Sequence, residues 1–151
     1  TFRKEFYSMN KFVLFFTAII FSLVSFAHGP TPQKVQESIT VAISPEKAYT
    51  ALKDFAEFKK FMKTRSTDDD LKKVKYALLK EDGPFTDFNA YIIVNKGSND
   101  NESVIQWTAR FYRLYKLNPP IPEGQDDATA KAAVQKIVEK GLADLKSALS
   151  K

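Results

Sequence analysis

The sequence contains no cysteine, and its single histidine, His28, lies near the N-terminus. Without cysteine the chain forms no disulfide and carries out no thiol chemistry. One N-terminal histidine excludes a histidine-based triad or a histidine-rich metal site in the rest of the chain. Neither a G-x-S-x-G motif nor a glycine-rich phosphate loop occurs. We therefore predict no catalytic residue, no metal site and no cofactor.

Charge of one sign is not concentrated either. The chain has 23 Lys and Arg against 18 Asp and Glu, a net charge of +5, and the excess is spread along the sequence. Nucleic-acid-binding domains usually cluster their basic residues, so we predict no nucleic-acid partner. The basic stretch between Lys59 and Lys75 is either a solvated surface or a docking site for an acidic partner. Asp68-Asp69-Asp70 lacks the spaced ligands of a calcium loop.

The N-terminal part has the pattern of a secretory signal peptide. Met9-Asn10-Lys11 is followed by an uncharged stretch over residues 12–26 and then by small residues around Ala27. The uncharged stretch is shorter than the roughly 18 residues of a membrane span. We predict a cleaved signal peptide over residues 9–29, an upstream extension over residues 1–8, and one domain over residues 30–151. The mature protein would be periplasmic or secreted, without a stable membrane span.

The remaining pattern predicts an α+β domain. Alternating apolar residues predict four strands, over residues 34–43, 71–80, 85–95 and 103–114. Ser44 and Pro45 predict the start of a first helix, which continues into a short second one. Asp126 or Asp127 caps a long helix that runs to Leu149. The polar residues 63–70 are predicted to form a loop.

The last strand and the last helix have matching apolar faces. Ile105, Trp107, Ala109 and Phe111 share one face of the strand. We predict that they face the helix stripe Val134, Ile137, Val138, Leu142 and Leu145. Gly141 lies within this stripe, where glycine costs about 0.5–1 kcal/mol relative to alanine. Its presence predicts a close approach between helix and sheet.

Three segments resemble the START-like, or SRPBCC, superfamily, and in particular its MxaD-like branch. "SPEKAYTALKDFAEFKKFM" resembles the first helical segment of that branch. "VIQWTARFYRLY", a proline-rich bend and "DDATAKAAVQKIVEKGLADLK" resemble its last strand and final helix. The resemblance implies a helix-grip fold, in which an antiparallel sheet curls around the long helix and encloses an apolar cavity. Superfamily members bind lipids or other hydrophobic ligands, some are cyclases, and the MxaD-like branch is associated with periplasmic methanol oxidation.

The sequence departs from the superfamily pattern after Phe61. Relatives usually carry Trp-x-Pro there, followed by a further hairpin, whereas here only residues 63–70 precede the next strand. We therefore predict a sheet shortened to about four strands, in the order first, fourth, third, second. The edge strand would be residues 71–80. The interior would be mostly packed, with a small or open-sided cleft.

Six residues are candidates for ligand binding. They are Tyr49, Phe88, Tyr91, Trp107, Phe111 and Arg113. The aromatic residues would line a pocket or simply pack in the core. Arg113 shares parity with Trp107, so it would either meet a carboxylate or phosphate head group or extend to solvent at the strand end.

Three functional hypotheses follow. The first is an exported, non-enzymatic protein that binds a small hydrophobic molecule or assists a periplasmic protein partner. The second is a cyclase-type enzyme, which would need an acid–base pair facing the cavity. The third is an interaction module with a collapsed cavity. A cavity of about 300 Å³ or more would favour a ligand site.

Overall fold

The computed structural model describes residues 29–151, so residues 1–28, with nearly all of the expected signal peptide, lie outside the described part. In chain order the elements are β1 (Gln33–Val41), α1 (Pro45–Lys53), α2 (Ala56–Lys59), β2 (Met62–Asp68), β3 (Lys73–Leu78), β4 (Phe85–Lys96), β5 (Ser103–Arg113) and α3 (Asp127–Leu149). None of these helices is both long and apolar enough to cross a membrane.

The strands form one antiparallel sheet in the order β1-β5-β4-β3-β2. The predicted pairing of the first strand with the last is confirmed, because Gln33 lies opposite Phe111 and Val41 lies opposite Ser103. An antiparallel sheet with one solvent-exposed face and one apolar face needs a second layer that covers the apolar face. The long helix α3 supplies it, and the predicted α+β helix-grip architecture is confirmed.

The sheet has five strands rather than about four, because the expected loop over residues 63–70 forms β2. Met62 pairs with Leu78 and Asp68 with Lys73, so β2 rather than β3 is the edge strand. Every residue of β2 after Met62 is exposed. Its sequence therefore has no apolar alternation, and its strand geometry comes from backbone pairing with β3. A bulge between Thr64 and Ser66 interrupts that pairing.

The core lies between the sheet and the three helices. The predicted inner face of β5 is confirmed, since Ile105, Trp107 and Ala109 are each fully buried. A Cβ atom placed on Gly141 would lie 2.5 Å from Cζ3 of Trp107. Only glycine therefore permits α3 to pack this closely on β5. Ile137 is half-buried rather than buried, because it borders an opening between the helices.

The helix starts follow the expected residues with one difference. Pro45 occupies the first turn of α1, but the Ser44 side chain forms no capping hydrogen bond. The Ser44 carbonyl instead accepts from the backbone N–H of Ala48, at 3.0 Å. At α3 the carboxylate of Asp126 accepts from the backbone N–H of Thr129, at 2.7 Å. This hydrogen bond lowers the pKa of Asp126 below its usual value.

Candidate ligand-binding cleft

A cleft of about 350 Å³ opens between the short helix α2 with the residues that follow it, the middle of α3 and one end of the sheet. It is partly open to solvent. Small-molecule sites usually measure about 300–1,000 Å³, so the cleft lies at the small end of that range. Its lining residues are Glu57, Lys60, Phe61, Leu78, Lys80, Asp82, Phe85, Ile137, Lys140, Gly141 and Asp144.

The walls of the cleft are mainly apolar. Phe61 follows α2, and its carbonyl accepts from the backbone N–H of Leu79 at 2.9 Å. This bond fixes Phe61 beside Leu78, the last residue of β3. Phe85 begins β4 and is buried, while Ile137 and Gly141 come from successive turns of α3. Four separate elements therefore bring their ends or turns together around one apolar space.

Three ion pairs form the rim of the cleft. Lys60 pairs with Glu57 at 2.7 Å, and Lys80 pairs with Asp82 at 3.5 Å. Lys140 pairs with Asp144 at 2.6 Å.

The three lysines on the rim are therefore balanced by three carboxylates. The hydrogen bond to Asp144 raises the pKa of Lys140, and the negative charges of Asp144 and of Glu57 on α2 raise it further. Lys140 therefore stays protonated at neutral pH, and each basic group on the rim has an acidic neighbour. An unmatched charge that would select an ionic ligand is not found among the lining residues.

Three of the six candidate residues stand directly behind the cleft. Trp107 packs against Gly141, with its Cη2 atom 3.0 Å from the position a Cβ would take. The ring of Phe85 packs against those of Phe88 and Phe111, with centroids 6.0 Å and 6.2 Å apart. All three candidates are buried. They form the layer that supports the cleft walls, and none of them is itself a lining residue.

Tyr49 lies outside the cleft and connects α1 to the turn between β2 and β3. Its hydroxyl donates to the Asp69 carboxylate at 2.7 Å. Burial, together with this hydrogen bond and the Asp69 charge, raises the pKa of Tyr49 to about 12. Hydrogen bonds from Tyr49 and Lys53 lower the pKa of Asp69 in turn. The structure therefore gives Tyr49 a tethering contact with the hairpin.

Tyr91 lies on the opposite face of the sheet. Its neighbours in β4, Ala90 and Ile92, are buried on the inner face, so Tyr91 points outward. The ammonium group of Lys73 lies 4.3 Å from the centre of its ring. Strand alternation therefore places Tyr91 on the opposite face of the sheet from Phe88, Trp107 and Phe111. Tyr91 cannot line a pocket together with them, which corrects its listing as a candidate beside them.

Arg113 neither extends to solvent nor presents its charge to the cleft. It is buried, and its Nε donates to the carbonyl of Tyr115 at 2.7 Å. Nη2 donates to the carbonyl of Leu117 at 3.3 Å, and Nη1 donates to the Asp127 carboxylate at 3.2 Å. Arg113 thus fixes the proline-rich bend to the start of α3. The guanidinium is occupied because the chain turns back over it directly after β5.

The lining residues were not identified from the sequence as a set. Gly141 carried a signal, since glycine inside an apolar helix stripe indicated a close approach. Phe61, Leu78 and Phe85 each read as ordinary core residues at the end of an element. Their convergence depends on how the β2–β3 hairpin, α2 and α3 pack together. Residues 29–151 also contain no cluster of three or more His, Asp or Glu side chains placed to hold a metal ion.

Comparisons with known proteins give solved structures of the same fold. No protein-family model matches the chain, and no curated protein sequence matches it. An uncharacterized protein from Bacillus thuringiensis superposes with a TM-score of 0.62 at 17% identity, covering 78% of this chain and 98% of its own. The protein XoxI from Bacillus cereus gives a TM-score of 0.61 at 16% identity, covering 77% and 94%.

An enzyme shares the fold as well. The ZhuI aromatase/cyclase from Streptomyces sp. R1128 superposes with a TM-score of 0.54 at 12% identity, covering 79% of this chain and 92% of its own. At such identities the similarity shows the fold and not the activity. The chain has the α+β helix-grip fold of START-like proteins.

Proposed function

We propose that this protein is a non-enzymatic START-like binding protein whose cleft takes one small, neutral, apolar molecule. The observation that carries the proposal is the cleft itself, with apolar walls and a rim of paired charges. Its volume of about 350 Å³ suits a compact molecule. A bulky two-chain lipid would exceed it, so we expect such a lipid to bind weakly.

The preference for a neutral ligand follows from the rim. A carboxylate or phosphate group needs an available cation, and guanidinium or ammonium groups usually supply it. Lys60, Lys80 and Lys140 are each engaged by a carboxylate within 3.5 Å. A charged ligand would find a carboxylate beside every rim lysine, and its charge would be uncompensated at the apolar wall, which is costly.

A cyclase-type activity is the second candidate, because ZhuI has the same fold. Such an enzyme would need a general base whose pKa lies near the operating pH. In the cleft the hydrogen bond to Asp144 raises the pKa of Lys140, which opposes a role as base. The rim carboxylates of Glu57, Asp82 and Asp144 all face lysines. Ligand binding without chemistry is therefore favoured.

The proposal includes export and an accessory role for a periplasmic partner. Its support is the signal-peptide pattern of residues 9–29 and the resemblance to the MxaD-like branch, whose members are associated with methanol oxidation. Sequencing the N-terminus of the mature protein tests export. The expected first residue follows Ala27 or Gly29, and a mature chain that still begins at Met9 would contradict it.

Binding of the neutral fluorescent probe N-phenyl-1-naphthylamine tests the site. Ile137→Asp places a charge on the cleft wall and is expected to weaken probe binding by about tenfold or more. Ala132→Asp adds the same charge at an exposed position of α3 and serves as the control. Ile137→Phe, which fills the cleft while staying apolar, should also weaken binding. Unchanged affinity in both Ile137 variants would overturn the proposal.

A further inference from the structure

The outer face of the sheet carries a group of cations that the strand register brings together. Residues directly opposite each other in paired strands lie on the same face. Lys34 lies opposite Arg110, Lys75 lies opposite the outward-pointing Tyr91, and Lys73 shares parity with Lys75. Lys63 lies opposite Ala77, again on that side. We call these five residues, Lys34, Lys63, Lys73, Lys75 and Arg110, the outer basic face.

The charges of the outer basic face are not neutralised within the described part of the chain. Across residues 29–151 none of its five cations forms an ion pair, whereas the three lysines on the cleft rim are all paired. Asp68 lies opposite Lys73, and Asp87, at the bulge of β4 two residues before Asn89, is paired with Lys116 outside this group. Lys34 and Arg110 lie directly opposite each other, and such a like-charge pair destabilises a sheet.

The helices leave this face uncovered. Both α1 and α3 pack against β4 and β5. Their packing partners are on the inner side, as the contact of Gly141 with Trp107 shows. Tyr112 of β5 also points to the outer side, whereas Thr108 on that side is buried by its neighbours. Within residues 29–151 the outer side therefore combines unpaired cations with the partly exposed tyrosines Tyr91 and Tyr112.

We propose that the outer basic face is the docking surface for an acidic region of a partner protein. Unpaired positive charges steer an acidic surface and raise its association rate. Arginine and tyrosine are enriched in protein interfaces, and both occur here, as Arg110, Tyr91 and Tyr112. An acidic side chain placed between Lys34 and Arg110 would also relieve their mutual repulsion.

Two other classes of anionic partner fit the face less well. Membrane docking usually adds apolar side chains that enter the bilayer. The exposed leucines of residues 29–151, Leu71, Leu79, Leu114 and Leu117, lie in turns beyond the strand ends rather than on this face. Single-stranded nucleic acid stacks its bases on open aromatic rings. One side of the Tyr91 ring is already occupied by the ammonium group of Lys73.

The inference goes beyond ligand binding, because it concerns the side of the sheet away from the cleft. It can be correct whether or not the cleft binds a ligand. Variants of the outer basic face should leave N-phenyl-1-naphthylamine binding unchanged, and Ile137→Asp should leave docking unchanged. The two measurements can therefore show that one proposal is wrong while the other still holds.

Fluorescence anisotropy with labelled poly-L-glutamate tests the inference. In the full chain we would combine Lys34→Gln, Lys75→Gln and Arg110→Gln. The matched control combines Lys131→Gln, Lys136→Gln and Lys146→Gln, which remove the same charge from exposed positions of α3. We expect the first variant to bind about tenfold more weakly than the unmodified protein. The control should bind within about twofold, and added salt should weaken the difference.

Three outcomes would overturn the inference. Equal losses in both triple variants would show that net charge alone controls binding. Tighter binding to phosphatidylglycerol vesicles than to poly-L-glutamate, lost in the first variant, would assign the face to a membrane. Tighter binding to a single-stranded oligonucleotide, lost in the same way, would assign it to nucleic acid.

Discussion

Gly141 sets the distance between α3 and β5, although glycine has a low helix propensity. A glycine inside a helix usually costs about 1 kcal/mol relative to alanine. Here the Cβ of alanine would lie 2.5 Å from the Trp107 ring and 3.3 Å from that of Phe58. The Trp107 ring is itself fully buried and has little space to move. Packing rather than propensity therefore explains the glycine.

We expect Gly141→Ala to lower the free energy of unfolding by about 1–3 kcal/mol, the usual cost of overpacking a core. Urea denaturation measures this change. Ala143→Gly, at an exposed position of the same helix, is the control and should cost about 1 kcal/mol through propensity alone. Stabilisation by Gly141→Ala would show that α3 lies farther from the sheet than described.

Arg113 is a second residue whose role is structural. Its guanidinium satisfies two backbone carbonyls and the carboxylate of Asp127. Arg113→Met keeps much of the side-chain volume but leaves these acceptors without a donor. We expect a loss of about 1–3 kcal/mol in the free energy of unfolding, the usual cost of unsatisfied buried acceptors.

The exposed ion pair of Lys116 with Asp87 provides the comparison for Arg113. The two side chains are 2.7 Å apart but about half exposed. Exposed pairs contribute about 0–1 kcal/mol, so Lys116→Met should change stability little. Equal effects of the two substitutions in chemical denaturation would argue against a buried anchor at Arg113.

At the scale of elements, the sequence predicted every strand that has a buried face. In β1, β3, β4 and β5 the apolar alternation was read with ends within two residues of the observed ones. Hydrophobic periodicity reports burial rather than backbone pairing. In β2 only Met62 is buried, so the sequence of residues 63–70 predicted a loop. The strand nevertheless pairs with β3 over its length.

The same limit applies to the candidate site. The inner aromatic residues Trp107, Phe88 and Phe111 were predictable because burial leaves a periodic signal. The cleft walls were not, because Phe61, Leu78 and Ile137 meet only after α2 and the hairpin have packed beside α3. Arg113 was misread since its partners, the carbonyls of Tyr115 and Leu117, belong to a bend without periodicity.

The contact between α1 and the β2–β3 hairpin should depend on pH. Hydrogen bonds from Tyr49 and Lys53 lower the pKa of Asp69, so the folded state favours its charged form. This stabilisation is present above the unfolded pKa of about 3.9 and is lost as the pH falls through the lower folded pKa. Asp69→Asn should therefore reduce stability at pH 7 but progressively less below about pH 4.

Urea denaturation of Asp69→Asn and of the unmodified protein, at pH 7 and at successively lower pH, measures the difference in their free energies of unfolding. Asp70→Asn removes the same charge one residue along the turn and is the matched control. We expect its effect at pH 7 to be smaller than that of Asp69→Asn. The role of the charged carboxylate would be contradicted if Asp69→Asn lowered the free energy of unfolding by the same amount at every pH.

For the molecule as a whole, the two faces of the sheet differ in what covers them and in their charge. The inner face packs against the helices and leaves an apolar cleft with a neutral rim. The outer face exposes cations without partners among residues 29–151. The helix-grip fold thus places the proposed ligand cleft and the proposed docking surface on opposite sides of the sheet.

Native mass spectrometry of the protein purified from its own cells tests the ligand-binding claim most directly. We expect one small, neutral, apolar molecule bound to each chain in the unmodified protein and in Ala132→Asp. Ile137→Asp, with a charge on the cleft wall, should be free of that molecule. An unmodified protein that carries no bound molecule, or an Ile137→Asp variant that retains it, would contradict the assignment of this cleft as a binding site.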